Sequence, residues 1–262
     1  MAARPTLLLL QYDGGSFAGW QRQPSARTVQ GVVEDILARL LEKRTPVVGS
    51  GRTDAGVHAT GQAAAAMVPE RWRPQDLMRA MNALLPSDVW VAAARRMVPG
   101  FNPRRDAIER TYCYRIGTDA AGRSPFRSRH EWVLPGGGGG GLDAGLLART
   151  AALLEGEHVF RALSAKGPEH EHYRCRILEA LWLAREDAPG LEFWITANRF
   201  LRHMVRFLVG TMVDIARGRR PEADLPELLR AADNRDASPP APPQGLFLVG
   251  VRYPARLYAE AS

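Results

Sequence analysis

The residues best placed to do chemistry lie in one short segment, Gly51-Arg52-Thr53-Asp54-Ala55-Gly56-Val57-His58-Ala59, which overlaps a glycine-punctuated loop over 49–56. Glycines on both sides of Arg52, Thr53 and Asp54 let the backbone approach a ligand closely and hold a carboxylate at a loop tip. The same aspartate could instead serve only its own backbone, closing an Asx turn, and composition does not decide between the two. His58 is better suited to bracing this loop through its ring nitrogens than to acid or base work. Three arginines, Arg199, Arg202 and Arg206, fall at i, i+3 and i+7, which is one face of a helix and also reads as an ordinary solvated face. Arg104, Arg105, Arg110 and Arg115, like Arg217, Arg219 and Arg220, form basic clusters that could track phosphates, although each alone also reads as solvated surface. His170 and His172, in Glu169-His170-Glu171-His172, have metal-like composition without a partner cluster, so no metal site is expected. Cys113 and Cys175 show no CxxC spacing and suggest neither a disulfide scaffold nor a zinc site.

These residues must be positioned by elements that the hydrophobic periodicity outlines. A buried strand over 6–11 runs into the loop Tyr12-Asp13-Gly14-Gly15-Ser16. Thr28 can cap a helix whose apolar face is Val29, Val32, Val33, Ile36, Leu37, Leu40 and Leu41. A short strand at Val47 and Val48 leads to the Asp54 loop. A strand over 62–68, a helix over 75–85 stopped by Pro86, and a strand over 89–96 follow. In the second half, a strand over 110–116 puts Tyr112 and Tyr114 on one face and Thr111, Cys113 and Arg115 on the other. The glycine run 136–141 reads as a mobile connector. A helix over 143–154 precedes two paired strands, 177–184 and 191–197. The longest helix is expected over 200–217, with Gly218 just past its end. A short helix over 225–232, a proline-rich stretch over 238–244 and a last strand over 246–251 complete the chain. The simplest division is two α+β halves, 1–105 with the Asp54 loop and 106–262 with the Tyr112 strand and the Arg206 helix.

Composition narrows the class. The chain has 262 residues, 45% hydrophobic and 24% charged, values that exclude a disordered, collagenous or fibrous protein. The net charge is +7, and 33 of the 35 basic residues are Arg, with only Lys43 and Lys166 as lysines. The flat, multi-donor guanidinium suits phosphates and base edges, so the balance points to a nucleic-acid partner. Richness in Ala, Gly and Pro offers a compositional habit as a second cause of the Arg excess, but not of the net charge. The apolar run at 7–10 is too short for a signal h-region, and no stretch approaches the roughly 20 apolar residues of a membrane span. A cytoplasmic protein with no membrane contact is expected.

The segment 51–59, GRTDAGVHA, resembles the signature of the TruA-type tRNA pseudouridine synthases. Further matches follow in the family's order. They are Tyr12-Asp13-Gly14 through Phe17, Gly19-Trp20-Gln21, Thr28-Val29-Gln30, Asn82 with Leu84-Leu85-Pro86, and Arg110-Thr111-Tyr112-Cys113-Tyr114. Phe200-Leu201-Arg202-His203-Met204-Val205-Arg206 with Gly210, and Gly245-Leu246-Phe247-Leu248, complete the set, so the resemblance runs from about residue 7 to 253. It implies an α+β pseudouridine synthase fold, two related halves forming one mixed, mostly antiparallel sheet flanked by helices, with a central basic cleft. It also implies isomerisation of uridine to pseudouridine at positions 38 to 40 of the tRNA anticodon stem-loop, by a homodimer and without metal or other cofactor.

By the same resemblance Asp54 is the catalytic residue, and a carboxylate is available as nucleophile at neutral pH without an activating base. Arg206 pairs with that carboxylate and keeps it ionised, Tyr112 packs on the target base, and Arg52 fills the space of the flipped-out nucleotide or holds phosphate. Arg104, Arg105, Arg202, Arg217, Arg219 and Arg220 are candidates for the phosphate track. The chain departs from the family at Val159, where the pattern has Asp, and at Arg199, which adds a charge beside the active-site helix. Two other readings compete. One is a non-catalytic tRNA-binding or RNA-folding protein on the same fold. The other is a metal-dependent hydrolase using Asp54, His58, His170 and His172, whose activity chelators would remove.

Overall fold

A computed structural model describes residues 2–134, 141–165 and 173–259. The chain divides into two compact units, residues 1–109 with 248–262, and residues 110–247. Both are built from mostly antiparallel strands and helices, the α+β class that the resemblance implies.

In the first unit β1 (Ala3–Tyr12) lies between β3 (His58–Pro69) and β4 (Val89–Arg96), antiparallel to both, with Leu8 opposite Ala64 and Ala94. β2 (Val47–Gly49) pairs with β3, and β10 (Leu246–Arg252) is the other neighbour of β3. Gly61 permits that last approach, because a Cβ there would meet the Val249 carbonyl oxygen at 2.2 Å. α1 (Val29–Leu41) starts where Thr28 accepts a hydrogen bond from Gly31 N, and it ends at Glu42 in the left-handed region. It buries Val29, Val33, Ile36, Leu37 and Leu41, each worth roughly 1.5–3 kcal/mol relative to exposure. α2 (Pro74–Asn82) buries Leu77 and Met81.

The segment 248–259, which the sequence division assigned to the second half, packs with the first. Tyr253 stacks edge-on against Phe101, its hydroxyl donates to Pro103 O at 2.8 Å, and the pair joins Leu7, Ala63, Ala65 and Met97 in one buried cluster. Arg252 forms an ion pair with Glu109 beside it.

In the second unit β5 (Glu109–Gly117), β9 (Gly190–Ala197), β8 (Arg174–Ala184) and β7 (Gly156–Val159) are antiparallel neighbours in that order, and β6 (Trp132–Val133) adds to β5 in parallel. α3 (Ala144–Ala152) is capped by Asp143. α4 (Met204–Ala216) is buried nearly all round, as expected for a helix apolar on every face, and the short α5 (Asp224–Leu228) follows. Of the expected connector 136–141 only Gly141 is among the described residues, and His170 and His172 lie outside them. Among the described residues no helix is long and apolar enough to cross a membrane.

Candidate active site

The Asp54 loop is fixed from behind by the segment between β1 and α1. Trp20 N donates to Thr53 O at 3.0 Å, and Gly56 N donates to Phe17 O at 3.3 Å. Gly19 sits at φ +99°, where a Cβ would be 2.8 Å from Thr53 O, so only glycine allows this approach. Gly14 is tighter still, its Cβ position lying 2.0 Å from Val57 O. Beneath the loop a buried polar chain runs through β1 and β3. The Tyr12 hydroxyl and Thr53 Oγ1 are 2.8 Å apart, Gln62 donates to Gly51 O at 3.1 Å, and Ser50 donates to Gln62 Oε1 at 2.8 Å. Burial pushes the Tyr12 hydroxyl up to about 12, against the pull of its bonds to Thr53 and Gln62, so it stays neutral and can donate. Asp54, half-buried, stands on this support with Val57 N bonded to its carbonyl at 3.2 Å.

His58 is the first residue of β3, which starts four residues before the strand expected over 62–68, and it is fully buried. Its Nδ1 accepts from Gly14 N at 3.0 Å and lies 3.2 Å from Asp13 Oδ1, which is the bracing use of its ring nitrogens. The polar chain of Tyr12, Ser50 and Gln62 is what the sequence reading missed. Its signal was a glutamine inside the alanine run of β3, since a buried amide in such a strand must have partners.

Arg52 is exposed at the loop's edge, and its Nε donates to Gln21 Oε1 at 3.0 Å. Gln21 donates to Gln30 Oε1 at 2.8 Å, and Gln30 donates to Val47 O at 2.8 Å, so Arg52 is tied back to α1 and β2. The structure brings Arg52 and Arg104 to one cleft of about 190 Å³, lined also by Trp20, Gln21, Gln30, Val47, Val48, Gly49 and Gly51. Arg105, its neighbour in sequence, forms a 3.0 Å ion pair with Asp106 and lines a different cavity, with Phe101 and Arg256.

In the second unit Tyr112, half-buried on β5, meets Phe200 edge-on with ring centroids 4.9 Å apart. Phe200 belongs to the lead-in to α4, so the tyrosine strand and the Arg206 helix are joined there. Arg206 Nε donates to Ala241 O at 2.7 Å, and Ala241 N donates back to Arg206 O at 2.9 Å. One turn along α4, Gly210 lets the proline-rich segment cross closely, its Cβ position being 2.2 Å from Pro239 O. Tyr114, two residues from Tyr112, is fully buried and donates to Pro242 O at 2.8 Å. Its burial raises the phenol well above the usual range, and the nearby Arg206 charge opposes that shift.

The helix expected over 200–217 starts only at Met204, after His203 takes a left-handed conformation at φ 60°. Arg199 and Arg202 therefore lie in the lead-in, not on a helix face with Arg206. Phe200 and Leu201 supplied apolar residues at helical spacing, but that part of the chain turns instead to reach Tyr112. Arg217, Arg219 and Arg220 follow the far end of α4, roughly 16 Å along the axis from Arg206. Arg217 is lowered by burial and by the Arg219 charge, Arg219 lies 3.5 Å from Asp214, and Arg220 pairs with Asp224 at 2.9 Å and with Ser238 at 3.2 Å. Arg220 is thus engaged in holding the fold. Val159 is exposed on β7 opposite Arg174.

The mixed α+β fold with its mostly antiparallel strands is that of the pseudouridine synthase class. Residues 9–99 and 150–254 match the family model described as tRNA pseudouridine synthase, and the chain belongs to that family. Among its relatives, proteins called tRNA pseudouridine synthase A, one from Chloroflexus aurantiacus is 40% identical over 97% of this chain and 90% of its own length. One from Cereibacter sphaeroides is 40% identical over 96% of this chain and 98% of its own length. One from Myxococcus xanthus is 38% identical over 94% and 91%.

Proposed function

We propose that this protein isomerises uridine to pseudouridine in tRNA, with Asp54 as the catalytic group. The reaction breaks the bond from N1 of uracil to C1′ of the ribose, turns the base, and joins C5 to C1′. The C5 proton leaves and N1 gains one, so atoms balance with no co-reactant. An ionised aspartate can carry this alone, by adding to sugar or base or by taking a proton from the sugar. The observation that carries the reading is the construction of the Asp54 loop. Tyr12, Phe17, Gly19 and Trp20 all spend contacts on holding it, and they lie within the first matched segment of the family model.

Supporting roles follow the family resemblance. Arg206 pairs with the Asp54 carboxylate, Tyr112 packs on the target base, and Arg52 takes the space that the flipped uridine vacates. Arg104, Arg105, Arg202, Arg217 and Arg219 contact phosphates, with Arg220 the weakest of the set because of its pairing with Asp224. The substrate element is the anticodon stem-loop at positions 38 to 40, and the working form is a cytoplasmic homodimer. Incubation with unmodified tRNA transcripts, followed by carbodiimide mapping of pseudouridine, should place the product at those positions. Modification elsewhere would refute the assignment of position, and binding without any product would favour the non-catalytic reading.

A further inference from the structure

Between β5 and β6 the chain makes an excursion whose crest carries Phe126, 87% exposed and the most exposed large apolar side chain among the described residues. A single exposed phenylalanine is unremarkable on a floppy loop. This one stands on a fixed base. Arg127 pairs with Asp119 at 2.9 Å and with Glu131 at 3.0 Å, and the buried Glu131 also pairs with Arg185. Gly117 and Gly122 leave the room this carboxylate occupies, since a Cβ at either would lie within 2.7 Å of Glu131 Oε1. Arg127 N and Ser128 N both donate to Ser124 O, at 3.0 and 2.8 Å, and His130 N donates to Arg127 O at 2.8 Å.

Around the crest Arg123 and Arg129 are exposed, and residues 120–130 contain no carboxylate. An aromatic face set between cations on an ordered turn is the arrangement that stacks a nucleobase while neutralising its backbone. A protein-binding patch would need contiguous apolar area, and over residues 120–130 the exposed apolar side chains are two alanines, Ala120 and Ala121, with Pro125 and Phe126. Tyr112 lies five residues before the end of β5 at Gly117, roughly 16 Å along the strand. The excursion begins beyond that end.

We infer that Phe126, flanked by Arg123 and Arg129, stacks an unpaired base of the RNA substrate. The inference rests on tRNA being the substrate. It is tested by measuring the Kd of the full-length protein for an unmodified tRNA transcript, its single-turnover isomerisation rate at saturating protein, and its sedimentation mass. Phe126→Ala should raise Kd about 5- to 100-fold, with the saturating rate and the melting temperature unchanged. Phe126→Trp should bind as the wild type does, and Phe126→Leu, apolar but without a π-face, should behave like Phe126→Ala. Arg123→Gln with Arg129→Gln should lower the slope of log Kd against log salt by about 1 to 2. An unchanged Kd for Phe126→Ala, or wild-type affinity in Phe126→Leu, overturns the inference. A change in sedimentation mass on Phe126→Ala makes the residue a protein contact and overturns it too. Wild-type protein that binds tRNA through Phe126 but yields no pseudouridine would leave this contact standing and remove the catalytic reading.

Discussion

Gln62 illustrates what a single side chain does for this site. Fully buried, it accepts from Ser50 and donates to Gly51 O, and its amide also lies within 3.5 Å of the Tyr12 hydroxyl. Gln62→Leu strips partners from buried groups that cannot reach water, and should lower stability by about 3 kcal/mol in urea unfolding. The same change loosens the floor beneath Thr53 and Asp54, so the isomerisation rate should fall even where the protein remains folded. The Asp54 loop was legible as a close approach from the glycines on both sides, although they left an Asx turn open and only the family resemblance gave Asp54 a catalytic role. Gln62 was not, since its importance comes from partners 11 to 50 residues away. Tyr112 and Tyr114 were legible as a pair on one strand face, but only the packing separates them. Tyr114 is sealed under Pro242 and Gly245, while Tyr112 is half-buried.

At the scale of elements, the segment from β1 to α1 acts as a cradle for the loop. Gly19→Ala places a methyl group 2.8 Å from Thr53 O at φ +99°, and should cost about 1–3 kcal/mol while displacing the Asp54 loop. Hydrogen exchange at Trp20 N, which bonds to that carbonyl, should accelerate in the variant. Periodicity located α1 and β4 well, because local patterning and burial agree there. It overextended α4, where the apolar residues of the lead-in pack on Tyr112 rather than continuing the helix. The three arginines at helical spacing consequently part company, and only Arg206 is helical. Its bond to Ala241 O ties α4 to the proline-rich segment, a contact 35 residues apart that no local pattern announces.

For the whole molecule, burial governs the titration of its weak acids. Desolvation pushes the thiols of Cys113 and Cys175 up to about 12 from an ordinary 9.0, and Tyr12 to about 12 from 10.0. Each folded-state value lies above its unfolded one, so the corresponding stability is complete below pH 9 and is lost as pH rises toward 12. The urea midpoint should hold between pH 7 and about 8.5 and fall steadily above it. At pH 8 both thiols should resist dithionitrobenzoate in the native protein and react once urea unfolds it. The arginine excess also reads differently once the chain is folded. Many guanidinia are engaged, Arg27 with Asp88, Arg149 with Glu222 and Arg185 with Glu131 among them, so net charge alone overstates the number that meet RNA. The closing strand belongs with the first unit, because residues from 248 return to fill the core around Met97 and Phe101.

Whether Asp54 carries the chemistry can be read from tritium release by tRNA transcripts labelled at uracil C5. Wild-type protein should release tritium in the presence of EDTA as in its absence, and Asp54→Asn, folded to the same melting temperature and binding the transcript, should release none above background. Release from Asp54→Asn at the wild-type rate would rule out Asp54 as the catalytic group.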